Sequence, residues 1–317
     1  MTEESNIELG PGAEFDTVRA MLARWGAAAH GVGDDAALVD VPPGSRLVVS
    51  TDTSVENVHF KRAWLSAEEI AYRSVAAALS DLAAMGAAPL GIVIALTLTE
   101  QWRAQIVQLA DGFATASREL GAPIVGGDLT RGSELSIGVT VLGSVERALT
   151  RNGARTGDAL WVTGRLGGPL LALRALESGA GPGPAHRERF AHPAPRLREA
   201  RWLATHGATA AIDLSDGVAA DASHLAAASG VRIILELDHL PLITGATAAD
   251  AAQSGEEYEL IVTAPASLDR GAFEREFGIP LTAIGRVEAA GAGGAGVETH
   301  DGTSRVPLPR GHSHFSA

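Results

Sequence analysis

Aspartates that follow apolar runs or glycine turns are the residues of this sequence best suited to chemistry. Asp34 and Asp35 stand behind a Gly-x-Gly turn in GVGDDAAL, Asp52 ends the apolar run RLVVSTD, and Asp128 follows two glycines in IVGGDLTRG. Open α/β folds place ligands at the carboxyl ends of strands, and Mg²⁺ prefers carboxylate ligands. Taken singly, each acid is also typical of an ordinary turn. Their repetition favours several magnesium ions around a polyphosphate over acid–base catalysis.

Asp81 lies in the last two turns of a predicted helix, where the helix dipole disfavours an anion. No other charged residue stands between Arg73 and Glu100. A buried carboxylate must find a cation, hydrogen-bond donors or a proton. The sequence therefore indicates either a metal ion or an arginine from elsewhere in the chain as the partner of Asp81.

A further pair of acids, Asp213 and Asp216, flanks Ser215 in AIDLSDG, where a predicted strand runs into a loop. The helix that starts near Val218 would direct its free N–H groups towards whatever these acids bind. The alternative is that both acids only cap this helix. The motif predicts a second group of ligands for a metal ion or a phosphate.

Candidate cationic and substrate-binding groups are few. His59 in VENVHF is typical of a structural histidine, but its spacing from Asp52 makes contact with a substrate a hypothesis. Lys61 is the only lysine, and it does not stand in a Gly-x-x-x-x-Gly-Lys motif, which excludes a P-loop. Positive charge must therefore come from arginines such as Arg131 and Arg151, or from metal ions.

The composition excludes several classes of protein. A formal net charge of -13 disfavours binding to nucleic acids and to anionic membranes, so neither is expected as a partner. The absence of cysteine excludes disulfides, thiolate zinc sites and cysteine nucleophiles. The uncharged stretch Leu82–Thr99 is interrupted by Gly86 and Pro89, and the acidic start MTEESNIELG lacks the features of a secretory signal. We expect a cytoplasmic protein.

The predicted elements form two series. In the first, a helix capped by Ser66 and Glu69 precedes the strand GIVIALTL, a helix over about residues 101–120, and the strands PIVGGD and LSIGVTVLGSV. The second contains the strand ALWVTG, the AIDLSDG step with the helix after it, and the strands VRIILEL and YELIVTAP. Alternating strands and helices predict an α/β architecture.

A polar, turn-rich stretch over residues 147–157 separates the two series. At roughly 150 residues per domain, the 317 residues predict one domain at 1–150 and another at 151–317. The last thirty residues are rich in glycine and weakly patterned, which predicts a mobile segment.

Several motifs, read in order, closely resemble those of the thiamine-monophosphate kinase family, which is related to the aminoimidazole-ribonucleotide and selenophosphate synthetases. They are GVGDDAAL, STDTSVENVHF, SDLAAMGAAP, GGDLTRG, RALTRNGARTGD, AIDLSDGV and SGEEYEL, within about residues 12–286. The resemblance implies a two-domain, synthetase-like α/β (α+β) fold with an N-terminal mixed sheet, flanking helices and a C-terminal α/β domain. It also implies a homodimer formed through the N-terminal sheet, with ATP near the subunit interface.

The resemblance further implies transfer of the γ-phosphoryl group of ATP to thiamine monophosphate, with metal ions and positioning in place of a catalytic side chain. The N-terminal domain would bind ATP and Mg²⁺ and dimerise, and the C-terminal domain would complete the nucleotide and substrate site. Matching motif positions assign the Mg²⁺ ligands to Asp35, Ser50, Thr51, Asp52, Asp81, Asp128, Asp213 and Asp216. They assign the ATP contacts to Gly127, Asp128, Arg151 and Ser215, and the contacts with the thiamine phosphate to His59 and Glu256.

The sequence departs from the family pattern on the acceptor side. Asn57 stands where many members have glycine, SGEEYEL replaces Gly-Gly-Glu-Asp-Tyr-Glu-Leu, and Pro309 stands where a substrate-stacking aromatic residue is common. Three alternatives follow: a related synthetase or kinase with a different phosphorylated acceptor, a nucleotide-binding paralogue without activity, and a metal-dependent phosphohydrolase. Dependence of ATP turnover on the acceptor distinguishes them.

Overall fold

A computed structural model of the chain describes Asn6, residues 11–309 and Gly311. The chain separates into two compact units, each built on a mixed β-sheet. The first unit comprises the chain up to Leu82 together with Ala88–Glu146, and the second comprises Ala83–Ala87 and the chain from Arg147 onwards. Within the described ranges, no helix is long and apolar enough to cross a membrane.

The first unit alternates helices and strands. Its helices are α1 (Ala13–Trp25), α2 (Ala67–Ala84), α3 (Glu100–Arg103) and α4 (Ile106–Leu120), and its strands are β1 (Arg46–Val55), β2 (Ala88–Leu98), β3 (Ile124–Arg131) and β4 (Ser136–Val145). The capping box predicted before α2 is confirmed, because the Ser66 N–H donates to Glu69 Oε2 at 2.8 Å and the Glu69 N–H donates to Ser66 Oγ at 3.2 Å.

The helix predicted over about residues 101–120 is interrupted at Ala104 and Gln105, so the prediction of a single helix was wrong. Trp102 explains the separate α3, since it is buried and its Nε1–H donates to Glu56 Oε2 at 2.8 Å. Thr99 caps this short helix by accepting the Trp102 N–H. A tertiary anchor therefore overrides the continuous helical pattern.

The first sheet has the strand order β1-β4-β2-β3, in which β2 and β3 pair in parallel and β4 pairs antiparallel with both β1 and β2. One face is buried, and α2 packs closely on it: a Cβ at Gly143 would lie 3.0 Å from the Leu82 side chain. The other face is partly exposed, and Leu47 and Val49 of the edge strand β1 are 49% and 55% exposed. Helices therefore cover one face of this sheet, and its opposite face carries exposed apolar side chains.

The second unit contains the remaining elements. Its helices are α5 (Gly168–Glu177), α6 (Pro184–Ala191), α7 (Leu197–Thr205), α8 (Val218–Ser229), α9 (Ala248–Gln253) and α10 (Arg270–Phe277). Its strands are β5 (Asp158–Thr163), β6 (Ala210–Asp213), β7 (Val231–Glu236), β8 (Leu260–Pro265), β9 (Leu281–Ala289), β10 (Gly296–Asp301) and β11 (Ser304–Val306). The sheet order is β11-β10-β7-β9-β5-β8-β6, with β10 and β7 parallel. A core that includes Leu225, Ile233, Ile261 and Ile284 joins α8 to this sheet.

The prediction of a mobile segment in the last thirty residues is wrong for β10 and β11. β10 pairs in parallel with β7, from Gly296 opposite Arg232 to His300 opposite Glu236. Backbone hydrogen bonds to an existing strand edge do not require a strong side-chain pattern, so the glycine content concealed these strands. Residues 310 and 312–317 lie outside the described residues.

Candidate functional site

Ser50, Asp52 and Asp81 belong to the helix-covered side of the first sheet. Ser50 and Asp52 pair with Val141 and Val139 of β4, whose side chains are buried. Ser50 Oγ donates to Asp81 Oδ2 at 2.5 Å and so supplies a donor for a half-buried carboxylate in the last turn of α2. The structure thus joins a predicted hydroxyl ligand to a predicted carboxylate ligand. Asp52 lies inside β1, which corrects the expectation that it ends the strand.

Asp128 lies at the opposite edge and on the opposite face of this sheet. It shares a row with Ala95, Gly138 and Thr53, whereas Asp52 belongs to the neighbouring row. Because neighbouring strands lie about 4.8 Å apart, three strand intervals put roughly 14 Å between Asp128 and β1. Asp128 also stands inside its strand, β3, rather than after it. Within one chain, the structure therefore does not bring Asp128 and Asp52 together.

Three other predicted residues of the first unit have separate surroundings. A Cβ at Gly127 would lie 2.2 Å from the Ile94 carbonyl oxygen, so strand packing alone requires this glycine. Thr51 faces the exposed side of the sheet, where its Oγ1 accepts a hydrogen bond from Thr140 at 3.2 Å. Asp35 is exposed in the loop before β1, and its N–H donates to the side chain of the preceding aspartate at 2.9 Å.

The predicted metal ligands have the donor chemistry of a Mg²⁺ site. Carboxylate and hydroxyl oxygens are the hard ligands that this ion takes. In the part of the chain that the structure describes, no three acidic or histidine side chains converge as a complete metal site. Mg²⁺ in phosphoryl-transfer sites is commonly held through one or two carboxylates, with substrate phosphates and water as further ligands. The donor set therefore fits Mg²⁺ bound together with a polyphosphate.

The loop after β1 fixes the ring of His59. The Val55 N–H donates to His59 Nδ1 at 3.0 Å, which leaves the proton of the neutral ring on Nε2. Asn57, in the same turn, has a φ of +65°. Asparagine enters this left-handed region more readily than most residues with a side chain. The conformation explains both the common glycine of the family pattern and the asparagine found here.

The second unit brings predicted nucleotide and acceptor residues into contact. Asp213 ends β6, and Ser215 and Asp216 form the loop that precedes α8. The Glu256 N–H donates to the Ser215 carbonyl oxygen at 2.8 Å. A Cβ at Gly255 would lie 2.7 Å from the same oxygen, so the close approach of the two loops requires glycine there. The fold thus brings into contact two predicted site residues that are far apart in the sequence.

Asp221, which the sequence analysis missed, holds the loop between β6 and α8. Its side chain is buried, and its Oδ2 accepts the N–H groups of Ser215, Asp216 and Gly217 at 3.2, 3.1 and 3.1 Å. Burial and the nearby Asp213 carboxylate raise the pKa of Asp221 to about 7. The N–H groups of Ser215, Asp216 and Gly217, just before the helix, thus have an acceptor within the protein, and the expectation for the N–H groups of the helix itself stays a prediction. The available sequence signal was an acid in the first turn of the alanine-rich helix VAADASHLAAAS.

Two glutamates anchor the loop over residues 254–259, called the acceptor loop after the predicted acceptor residue Glu256, and the sequence analysis missed both. The side chains of Glu257 and Glu259 are fully buried. Arg196 donates from Nε and Nη2 to Glu259 at 2.6 and 2.5 Å, and Arg189 contacts Glu257 at 3.1 Å and Glu259 at 3.0 Å. Burial raises the pKa of Glu257; it opposes ionisation of Glu259 too, but Arg196 and Arg189 outweigh it and lower that pKa. The available sequence signal was the spacing of two acids in SGEEYEL, where Glu257 and Glu259 stand two residues apart.

Arg151 lies beside the start of β6 and the end of α8. The Ala211 N–H donates to the Thr150 carbonyl oxygen at 3.3 Å, and the Ser229 hydroxyl donates to the Arg151 carbonyl oxygen at 2.7 Å. The loop between β6 and α8, which contains Ser215, lies at the other end of α8. This helix is about 18 Å long. The structure therefore does not bring the Arg151 backbone to that loop.

The C-terminal segment returns to the loop between β6 and α8. A Cβ at Gly311 would lie 2.7 Å from the Asp216 carbonyl oxygen and 2.6 Å from Ala220 Cβ. Pro309, two residues earlier, is half-buried. The position at which the family pattern has a stacking aromatic residue is therefore close in sequence to a direct contact with the predicted site.

Comparisons with known proteins identify the family of the chain. The N-terminal domain of AIR synthase related proteins matches residues 33–145, and the C-terminal domain of the same proteins matches residues 155–298. The thiamine-monophosphate kinase of Salmonella typhimurium is 36% identical over 276 residues, which covers 82% of this chain and 84% of that relative. The chain belongs to the thiamine-monophosphate kinase family.

Solved structures of this family share the fold. The thiamine-monophosphate kinase of Stenotrophomonas maltophilia K279a is 34% identical with a TM-score of 0.79, and the match covers 93% of this chain and 98% of that one. AaThiL complexed with AMPPCP and TMP is 29% identical with a TM-score of 0.76, and the match covers 88% and 90%. The two-domain fold with mixed sheets and flanking helices is therefore confirmed.

This member of the thiamine-monophosphate kinase family carries two departures that contact each other. Ser254 and Glu257 replace a glycine and an aspartate of the usual motif, and the Ser254 side chain hydrogen-bonds to the Glu257 carboxylate. The Gly167 N–H donates to Glu257 Oε1 at 2.5 Å. The longer acid therefore has its own buried partners in this chain.

Proposed function

We propose that the chain transfers the γ-phosphoryl group of ATP to the phosphate of thiamine monophosphate and forms thiamine diphosphate and ADP. The observation that carries the proposal is the backbone hydrogen bond between Ser215, predicted to bind ATP, and Glu256, predicted to bind the acceptor. The relative complexed with AMPPCP and TMP supports a nucleotide and a thiamine phosphate as ligands of this fold.

The proposed reaction needs no general base. A phosphate monoester with a second pKa near 6 is mostly a dianion at neutral pH, so it is already a nucleophile. Ser215 and Glu256 would hold the nucleotide and the acceptor side by side, and His59 would contact the acceptor phosphate from a fixed ring. When bound, Mg²⁺ supplies positive charge that offsets the repulsion between the two phosphate groups.

The proposed binding residues divide between the units. In the first, the Mg²⁺ ligands would be Asp35, Ser50, Thr51, Asp52, Asp81 and Asp128; in the second, Asp213 and Asp216. ATP would contact Gly127, Asp128, Arg151 and Ser215. We assign ATP and Mg²⁺ binding and dimerisation to residues 1–150, and completion of the nucleotide and substrate site to residues 151–317. A cytoplasmic location stays a prediction.

Two copies of the chain are proposed to associate through the exposed face of the first sheet. Leu47 and Val49 are about half exposed on this face, and association would bury them. It would also place residues of a second chain near Asp128, which lies apart from Asp52 in one chain. Val49→Asp should yield a monomer in light scattering, and Val107→Asp, at an exposed apolar residue of α4, should not. A monomeric unsubstituted protein would contradict the dimer.

ADP formation tests the proposed function. Purified protein is assayed with ATP and Mg²⁺ in the presence of thiamine monophosphate, of thiamine, or of no acceptor. ADP should appear at an appreciable rate with the monophosphate alone. Equal rates in all three reactions would indicate a phosphohydrolase, and nucleotide binding without turnover would indicate an inactive paralogue or a different acceptor.

A further inference from the structure

The loop over residues 254–259 combines strained backbone with buried charge. Glu256 and Tyr258 have φ values of +56° and +52°, a left-handed conformation that residues with side chains rarely adopt. Glu257 stands between them, with its side chain fully buried. Strained backbone persists where surrounding contacts over-determine it, and it clusters at functional sites. The contacts of Glu257 therefore bear directly on the conformation of its two neighbours.

Glu257 is held by three partners. Arg189 Nη2 donates to Glu257 Oε2 at 3.1 Å and to the Glu257 carbonyl oxygen at 3.0 Å. The Gly167 N–H donates to Oε1 at 2.5 Å, and the Ser254 side chain hydrogen-bonds to the same carboxylate. Arg189 thus binds both the side chain and the backbone of the residue between the two strained positions.

The largely buried guanidinium group of Arg189 contacts both Glu257 and Glu259. Its side chain is 18% exposed, and its Nη1 lies 3.0 Å from Glu259 Oε1. The planar guanidinium can contact both glutamates at fixed angles, whereas a lysine would offer one flexible point of charge. Arg196 supplies a second guanidinium group, which forms an ion pair with Glu259, so each buried acid has a cationic partner.

We propose that Arg189 and Glu257 are positioning residues that fix Glu256 for the phosphorylated acceptor. The inference rests on the proposed function. Loss of the Arg189 contacts would allow the backbone at Glu256 to relax and would move its side chain relative to Ser215. Acceptor binding should weaken selectively, since Asp221 holds the Ser215 loop through a separate set of hydrogen bonds.

Arg189→Gln tests the proposal against a matched control. Arg174→Gln removes another arginine of the same unit, one that forms an ion pair with Asp250 outside the acceptor loop. Binding of thiamine monophosphate is measured by calorimetry with Mg²⁺ and AMPPCP present, and KM is measured for both substrates. Arg189→Gln should weaken binding of thiamine monophosphate and raise the KM for this substrate at least about tenfold. The KM for ATP should be nearly unchanged. Arg174→Gln should behave as the unsubstituted protein.

Each outcome bears on the proposal. Acceptor affinity of Arg189→Gln equal to that of the unsubstituted protein would overturn it, as would equal rises in both KM values. Arg189→Lys keeps the charge without the planar guanidinium group, and it should show a smaller selective rise; it carries the same comparison if the glutamine variant does not fold. Unsubstituted protein that binds nucleotide but never phosphorylates thiamine monophosphate would instead reject the proposed function.

Discussion

Asp52 and Asp128 of the first unit lie on different faces and at opposite edges of one sheet, whereas Asp213 and Asp216 of the second unit lie at the start of one short loop and within it. In the second unit, buried Asp221 holds the loop backbone, and buried ion pairs hold the acceptor loop beside it. In the first unit, the hydrogen bond from Ser50 to Asp81 joins two predicted ligands on one side of the sheet.

This difference separates preformed geometry from geometry that needs a ligand. A loop held by hydrogen bonds within its own unit keeps its shape without substrate. Carboxylates spread over a sheet act together only when a ligand or a second chain joins them. We therefore expect substitutions at the exposed predicted ligands of the first unit to reduce activity without loss of stability, and substitutions at the supports of the second unit to reduce both.

Asp128→Asn should have the largest effect on activity. The residue is exposed, so its replacement should leave the unfolding temperature unchanged, while loss of a charged ligand should reduce turnover at least about 100-fold. Steady-state ADP formation and thermal unfolding measure the two quantities. Asp40→Asn, at an exposed loop aspartate of the same unit, is the control and should retain full activity. Normal turnover by folded Asp128→Asn would show that this carboxylate is not a required ligand.

Glu259→Gln should have the largest effect on stability. It leaves Arg196 and Arg189 buried beside an uncharged partner, which should lower the free energy of unfolding by about 3 kcal/mol. Urea unfolding measures this quantity. Glu288→Gln removes an exposed partner of Arg286 in the same unit and should change stability by less than about 1 kcal/mol. Equal losses in the two variants would show that the buried pair is not a support.

The same variant gives a pH test. The lowered pKa of Glu259 means that ionisation of this residue stabilises the folded protein. The contribution is present above the ordinary glutamate pKa of 4.5 and is lost as the pH falls through the lower pKa of the folded state. The free energy of unfolding of Glu259→Gln should therefore fall less steeply below pH 4.5. Parallel curves for the variant and the unsubstituted protein would contradict this role.

Asp221→Ala should have an intermediate effect. It leaves three N–H groups without their acceptor but also removes a buried charge, so we expect a loss of about 1–2 kcal/mol and a raised KM for ATP. Asp221→Asn keeps an acceptor oxygen, so its free energy of unfolding and its KM for ATP should both stay close to those of the unsubstituted protein. Asp250→Ala removes the capping box of α9 and should cost about 1 kcal/mol without a change in this KM. An unchanged KM in Asp221→Ala would remove Asp221 from the supports.

Asn57→Gly should have the smallest effect. Glycine adopts the φ of +65° without strain but has more freedom in the unfolded chain, so these effects nearly cancel within about 0.5 kcal/mol. Asn57→Val should instead lower the free energy of unfolding by about 1–2 kcal/mol, because a β-branched side chain is strained there. Chemical unfolding of both variants is the measurement. Equal stability of the valine variant would contradict the left-handed turn.

The sequence predicted those features that depend on local patterns. The Ser66 and Glu69 capping box, the approximate positions of the main strands and Asp81 near the end of α2 follow from residue types at fixed spacing. β10 could not be predicted in this way, because it is stabilised by pairing with β7, which is distant in sequence.

The candidate site divides along the same line. Motifs identified Asp213, Ser215 and Asp216, because they adjoin one another in the chain. Asp221, which accepts the N–H groups of Ser215, Asp216 and Gly217, was missed, as were the arginine partners of the buried glutamates. Each of these contacts is tertiary or spans a turn that a strand-and-helix pattern does not specify. Motif order was informative about function, and it carried no information about which aspartates share a face of the first sheet.

Phosphorus NMR of a reaction containing ATP, Mg²⁺ and thiamine monophosphate follows the phosphate of the acceptor itself. The single resonance of the monophosphate should be replaced by the two coupled resonances of thiamine diphosphate, with ADP formed in equal amount. Loss of ATP with accumulation of inorganic phosphate and an unchanged monophosphate resonance would contradict the proposed function.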